Sequence, residues 1–98
     1  MCIRDRALYF SRSPIPYQRD PLVASIYWKH IGLYIFRATT LRQIIALGPH
    51  PLEKVEKLEQ LRWLANGLKI GVAETDLESI AIDHPEDLTR LEKFMDQL

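Results

Sequence analysis

Six prolines decide which stretches of this 98-residue chain can be regular. Proline fixes φ and carries no N–H, so it interrupts helices and sheets except at a first turn or an edge. Pro14, Pro16 and Pro21 crowd into residues 12–27, which show no regular period and read as a stiffened loop. Gly48-Pro49 ends a short helix at about 39–47, where Leu41, Ile44 and Ile45 recur at helical spacing. Pro51 and Pro85 suit helix first turns. They predict a long helix at 51–66, closed by Asn66-Gly67, and a last helix at 85–97 with Leu88, Leu91, Met95 and Leu98 as its core face. Residues 7–11, 30–37 and 68–74 read as strands, with ESIAI at 78–82 a further short one. Strands alternating with helices predict an α/β or mixed sheet. Met1–Arg6 (MCIRDR) fits none of these elements and is set aside as a prefix.

The length suits one small domain, and 47% hydrophobic with 27% charged residues is the balance of a soluble globular chain. No apolar run reaches membrane-spanning length, and no signal-peptide h-region follows the first residues. A lone cysteine, Cys2, excludes a disulfide framework and a cysteine zinc site, so the cytoplasm is the expected location. The net charge of zero hides an asymmetry. Residues 1–50 carry seven Lys/Arg against two Asp/Glu, and residues 51–98 carry six against eleven. A basic half suits an anionic ligand and an acidic half a metal ion, unless the two simply attract each other.

Several residues resist a purely structural reading. In HIGLYIFR (30–37), Ile31, Leu33 and Ile35 point one way, and His30, Gly32, Tyr34 and Phe36 the other. The first face is expected in the core. The second mixes polar and aromatic groups, as a pocket wall does. At roughly 100° per residue, Leu52, Val55, Leu58 and Trp63 share one arc of the long helix, with Glu59 and Arg62 inside it and Gln60 toward the other side. A carboxylate in an apolar arc is costly unless paired. Glu59 therefore either pairs with Arg62 at i,i+3 or faces a cleft and binds a ligand hydroxyl. Asp83, between an apolar run and Pro85, is either a helix cap or a metal ligand at a strand end. His30 alone is a structural histidine more often than a catalytic one. Arg12 and Arg19 are surface arginines or, across a rigid loop, a pair converging on one carboxylate. No P-loop, GxGxxG, catalytic triad or Cys/His metal set is present, and the basic residues form no stripe with stacking aromatics that would suit nucleic acid.

ALYFSRSPIPYQRD, KHIGLYIFRA, PLEKVEKLEQLRWLANGLKI and IAIDHPEDL follow one another in register. Together, from Ala7 onward, they closely resemble the C-terminal part of the CMP-Kdo synthetase family, the bacterial 3-deoxy-manno-octulosonate (Kdo) cytidylyltransferases. The resemblance implies the C-terminal part of a nucleotidyltransferase sheet, GT-A-like and Rossmann-like, mixed and flanked by helices. It implies transfer of CMP from CTP to Kdo with release of pyrophosphate, for lipopolysaccharide synthesis, with magnesium as cofactor and a homodimer as the assembly. Residue by residue, it implies that Arg12, Arg19, His30, Tyr34, Glu59 and Gln60 bind Kdo and that Asp83 ligates magnesium.

The family's chain is more than twice as long, and its N-terminal half brings the CTP-binding loop, the cytosine contacts and a second metal-binding aspartate. The expectation is therefore that residues 7–98 are the C-terminal portion of one cytidylyltransferase domain, inactive alone, with strands short of neighbours. His84 stands where the family has threonine, and Ala81 where it has glycine. The competing expectations are a related sugar-acid cytidylyltransferase, such as one acting on sialic acid, and a non-catalytic α/β interaction domain.

Overall fold

The computed structural model describes residues 1–76 and 83–97. Within them the chain forms β1 (Cys2–Ile3), β2 (Arg6–Ala7), α1 (Ala38–Ala46), α2 (Pro51–Glu56), α3 (Gln60–Ala65) and α4 (Pro85–Asp96). The predicted strand at 78–82 lies outside the described residues.

Helix ends follow local chemistry. Pro51 and Pro85 open α2 and α4, where a missing N–H costs nothing. His50 caps α2 reciprocally: its Nδ1 accepts from the Leu52 N–H at 3.2 Å, and its own N–H donates to Glu53 Oε2 at 3.2 Å. At α4 the cap comes from inside the helix. Buried Asp87 accepts from the Asp83 and His84 N–H groups at 2.9 and 3.0 Å, and it also pairs with Arg90. Asp83 thus contributes its backbone to the cap, not its carboxylate. Gly67, at φ +82°, closes α3 with N–H bonds from Gly67 to Leu64 O and from Leu68 to Trp63 O, both 3.1 Å.

The long helix expected at 51–66 is two. Lys57 turns left-handed (φ 56°, ψ 43°) and ends α2. The chain resumes as α3 three residues later, with its phase shifted. Leu61, outside the expected apolar arc, is the deepest side chain at 1% exposure, and Gln60, expected on the far side, is 6% exposed. Val55, expected inside, is exposed.

The prefix is part of the fold. β1 and β2 form an antiparallel hairpin pairing Cys2 with Ala7 and Ile3 with Arg6. Gly71 bridges Arg6, Ala7 N–H donates to Ile70 O at 2.9 Å, and Val72 N–H to Asp5 O at 2.8 Å. The strands expected at 7–11 and 68–74 meet there over a few residues only. Residues 30–37 form no ladder among the described residues, because a strand needs a neighbour for its N–H and C=O groups. Over 33–36 their faces are also inverted: Leu33 and Ile35 are 80% and 96% exposed, and Tyr34 and Phe36 turn inward, while Ile31 stays half-buried and His30 exposed. The expected core face of α4 is likewise open at Leu88 and Met95, with Leu98 outside the described residues. Apolar periodicity marks a face that can be buried, and burial still requires a surface to pack against.

The buried apolar side chains among the described residues are Ile44, Leu61 and Trp63, at the junction of α1 and α3. The radius of gyration is 16.3 Å, against about 13 Å for a compact domain of 100 residues. The structure is thus an open arrangement of helices and a small sheet around one small core. No helix among the described residues is long and apolar enough to cross a membrane.

Candidate functional site

Trp63, buried on α3, organises the surroundings of the core. Tyr34 and Phe36 meet its indole edge-on, with ring centroids 5.1 and 5.2 Å away, a favoured aromatic geometry. Tyr34 Oη lies 2.5 Å from His30 Nε2. The His30 ring packs edge-on against Phe10 at 4.9 Å. Partial burial lowers the His30 pKa and raises that of Tyr34, so both are held neutral near pH 7.

An open groove of about 380 Å³ runs along this cluster. Tyr34 and Phe36 form one wall, Leu41, Ile44 and Ile45 of α1 another, and Glu59, Gln60 and Trp63 line the α3 side. Two donors on its α3 side, Gln60 Nε2 and Trp63 Nε1, are buried without a hydrogen-bond partner among the described residues. Buried donors in native structures nearly always have a partner, so the α3 side of the groove is short of hydrogen-bond acceptors among the described residues.

The Glu59–Arg62 pair that spacing favoured does not form. Arg62 reaches back to α2 and grips both oxygens of Glu53, at 2.8 and 2.5 Å, and donates through Nη1 to Leu47 O at 3.3 Å. This bidentate fork lowers the Glu53 pKa and raises that of Arg62. The Glu59 carboxylate is left exposed at the groove, with no hydrogen bond among the described residues, while its backbone carbonyl accepts from the Arg62 N–H at 3.0 Å. Of the two readings the sequence left open for Glu59, the i,i+3 ion pair is absent and the carboxylate faces the groove.

The two loop arginines differ. Arg12 is tied to the end of α2, with Nε on Glu56 O at 2.5 Å and Nη2 on Lys57 O at 2.9 Å. Glu56 Oε1 accepts from Ser11 Oγ at 2.7 Å and from the Arg12 N–H at 3.1 Å. These bonds, Ser11's foremost, hold the Glu56 carboxyl below its ordinary pKa of 4.5. Tyr9 faces the same carboxylate, whose pull on the phenolic proton raises the Tyr9 pKa. That contact falls outside hydrogen-bond geometry, and Glu56 Oε2 is buried without a hydrogen-bond partner among the described residues. Arg19 is exposed and makes no hydrogen bond or ion pair among the described residues. Its loop is held by neighbours: Asp20 Oδ1 accepts from Leu22 N–H at 2.9 Å, Gln18 Nε2 donates to Val23 O at 2.9 Å, and Tyr27 Oη to Pro16 O at 3.1 Å.

Of the seven predicted site residues, Tyr34, Glu59 and Gln60 share the groove, and His30 joins them through Tyr34. Arg12, two residues after Phe10, is held at the end of α2 and does not line the groove, and Arg19 stands apart on its turn. The Asp83 carboxylate is exposed and unengaged among the described residues, which hold no group of three acidic, histidine or cysteine side chains able to enclose a metal ion. A single open carboxylate fits magnesium as one ligand among waters and phosphate oxygens, not as a cage. Sequence reasoning treated Trp63 as plain core and passed over Glu53 and Glu56. Their partners lie 9 and about 45 residues away, and no local spacing signals such pairs.

Residues 2–70 match the family model for cytidylyltransferase. The chain is 53% identical over 94 residues to the 3-deoxy-manno-octulosonate cytidylyltransferase of Bacteroides thetaiotaomicron, covering 91% of this chain and 38% of that protein. It is 51% identical over 96 residues to that of Phocaeicola vulgatus (93% and 38%), and 48% over 91 residues to that of Chlorobaculum tepidum (93% and 37%). The chain spans well under half the length of these relatives. Together with the mixed helices and small sheet, the match fits a nucleotidyltransferase-like α/β fold. The chain belongs to the cytidylyltransferase family.

Proposed function

We propose that this member of the cytidylyltransferase family forms the sugar-acid side of a CMP-Kdo synthetase site, within a GT-A-like mixed sheet. The reaction is transfer of CMP from CTP to Kdo, giving CMP-Kdo and pyrophosphate for lipopolysaccharide synthesis. The observation that carries this reading is the groove: Tyr34 and the Glu59-Gln60 pair, from separate segments, meet along one open lining. Such a surface suits a polyhydroxylated ligand, which supplies both donors and acceptors.

Glu59 and Gln60 hydrogen-bond sugar hydroxyls. His30 and Tyr34 bound the site as a neutral pair. Arg12 and Arg19 neutralise the sugar carboxylate, so that one anion can approach another. The sugar hydroxyl then attacks the α-phosphate, an O–P bond forms, and pyrophosphate departs. Magnesium, held in part by Asp83, would neutralise phosphate charge and lower the pKa of the attacking oxygen. The working assembly is a cytoplasmic homodimer.

Titration calorimetry on the 98-residue chain tests the reading. Kdo should bind with 1:1 stoichiometry, N-acetylneuraminic acid at least about tenfold more weakly, and CTP alone not measurably. Equal affinity for the two sugar acids would favour a broader sugar-acid cytidylyltransferase. Cooperative unfolding with no binding of either would favour an interaction domain.

A further inference from the structure

We propose that Glu56 is the positioning residue of the loop arginine: it holds Ser11-Arg12 so that the guanidinium presents its end-on fork to a carboxylate. The carboxylate's identity as that of Kdo rests on the function proposed above, and the positioning itself does not. Arginine has five N–H donors. Two are used by the Glu56 and Lys57 carbonyls, through Nε and Nη2. These occupy the side edge of the guanidinium. Its end edge, with one N–H from each Nη, has no acceptor among the described residues. A guanidinium can meet a carboxylate with two parallel bonds along either edge, as the side edge of Arg62 does with Glu53, and in Arg12 the end edge is the one left open for it.

The helix break supplies the anchor. A continuous helix from 51 to 66 would spend the Glu56 and Lys57 carbonyls on N–H groups four residues on. The left-handed turn at Lys57 leaves them for Arg12. Glu56 then fixes the loop backbone through two bonds to one oxygen, from Ser11 Oγ and the Arg12 N–H. Ser11 Oγ also accepts the Ser13 N–H at 3.1 Å, which extends the restraint by two residues. An arginine side chain is rich in rotamers, and fixing it in advance removes that entropy cost from ligand binding. Glu56 touches no ligand in this scheme and acts through Arg12.

The test is ¹⁵N NMR of the Arg12 Nε–H, with Kdo titration, in the 98-residue chain and its variants. In the unmodified chain the Nε–H should be a resolved, slowly exchanging resonance. Glu56→Ala should broaden it and weaken Kdo binding about tenfold. Glu56→Gln should restore both to within about threefold, because an amide oxygen accepts the same two bonds. In the Glu56→Ala background, Arg12→Ala should weaken binding less than it does alone. Ser11→Ala, which removes one bond to the same oxygen, gives a milder version of the same change if Glu56→Ala does not fold. An Arg12 Nε–H equally protected in Glu56→Ala, or in Ser11→Ala where that variant stands in, overturns the proposal. Protection that follows Glu56 in a chain that ignores Kdo upholds the positioning role and removes the sugar-acid reading instead.

Discussion

Arg12 and Arg19 close the two ends of one proline-stiffened loop, and the structure treats them differently. Arg12 is anchored to the helix scaffold through its own side chain and through the neighbouring Ser11. Arg19 is carried on a turn that is hydrogen-bonded mostly to itself. The same residue type is thus placed in one case by the fold and in the other by local chain stiffness. A group fixed by the fold contributes to stability and to binding together. A group fixed only by its loop contributes to binding alone.

The comparison is broken most directly at the arginines. Arg12→Ala should weaken Kdo binding by about 100-fold and lower the melting temperature, since bonds involving a charged group contribute about 1.5–3 kcal/mol each. Arg19→Ala should weaken binding about tenfold with melting unchanged. Calorimetry and thermal melts on both variants decide it, and equal loss of melting temperature would erase the distinction. Acid provides the next largest effect. Glu53 and Glu56 are depressed below 4.5 when folded, so their contribution is full above that value and is lost as pH falls through the folded values. Melting temperature should stay level from pH 7 to about 5 and then fall, and Glu56→Gln should flatten part of the fall. Ser11→Ala should cost about 1 kcal/mol in urea unfolding, the usual contribution of one hydrogen bond. The smallest change sharpens the anchor. Lys57→Gly should leave Arg12 in place and gain up to about 1 kcal/mol, because glycine adopts the left-handed turn without a side-chain clash. Loss of the Arg12 resonance in that variant would show that the lysine side chain, not the turn, makes the anchor.

What could be read from sequence divides along the same line. Pro51, Pro85 and Asn66-Gly67 announced helix ends correctly because capping is local physics. The break at Lys57 was illegible, because an arginine 45 residues earlier takes the freed carbonyl. Missing it put Gln60 on the wrong side of its helix and hid Leu61. In residues 30–37 the alternation was legible, but which face turns inward depends on what lies alongside. Tyr34 and Glu59 were marked by their chemistry. Gln60 was reachable only through resemblance, since its burial follows from the shifted phase of α3. Asp83 was read as a cap or a ligand, and Asp87 took the first role.

The alternation in residues 33–36 also governs how the chain can change length. Leu33 and Ile35 look outward while Tyr34 and Phe36 wall the groove, and each peptide step reverses the direction. One residue inserted between Tyr34 and Phe36 would put the two rings on opposite sides and leave one of them outside the groove. Two inserted residues would restore the parity. Length variation in this segment is therefore expected in even steps, a rule of arithmetic imposed by a backbone that carries a polar wall on one side and an apolar one on the other.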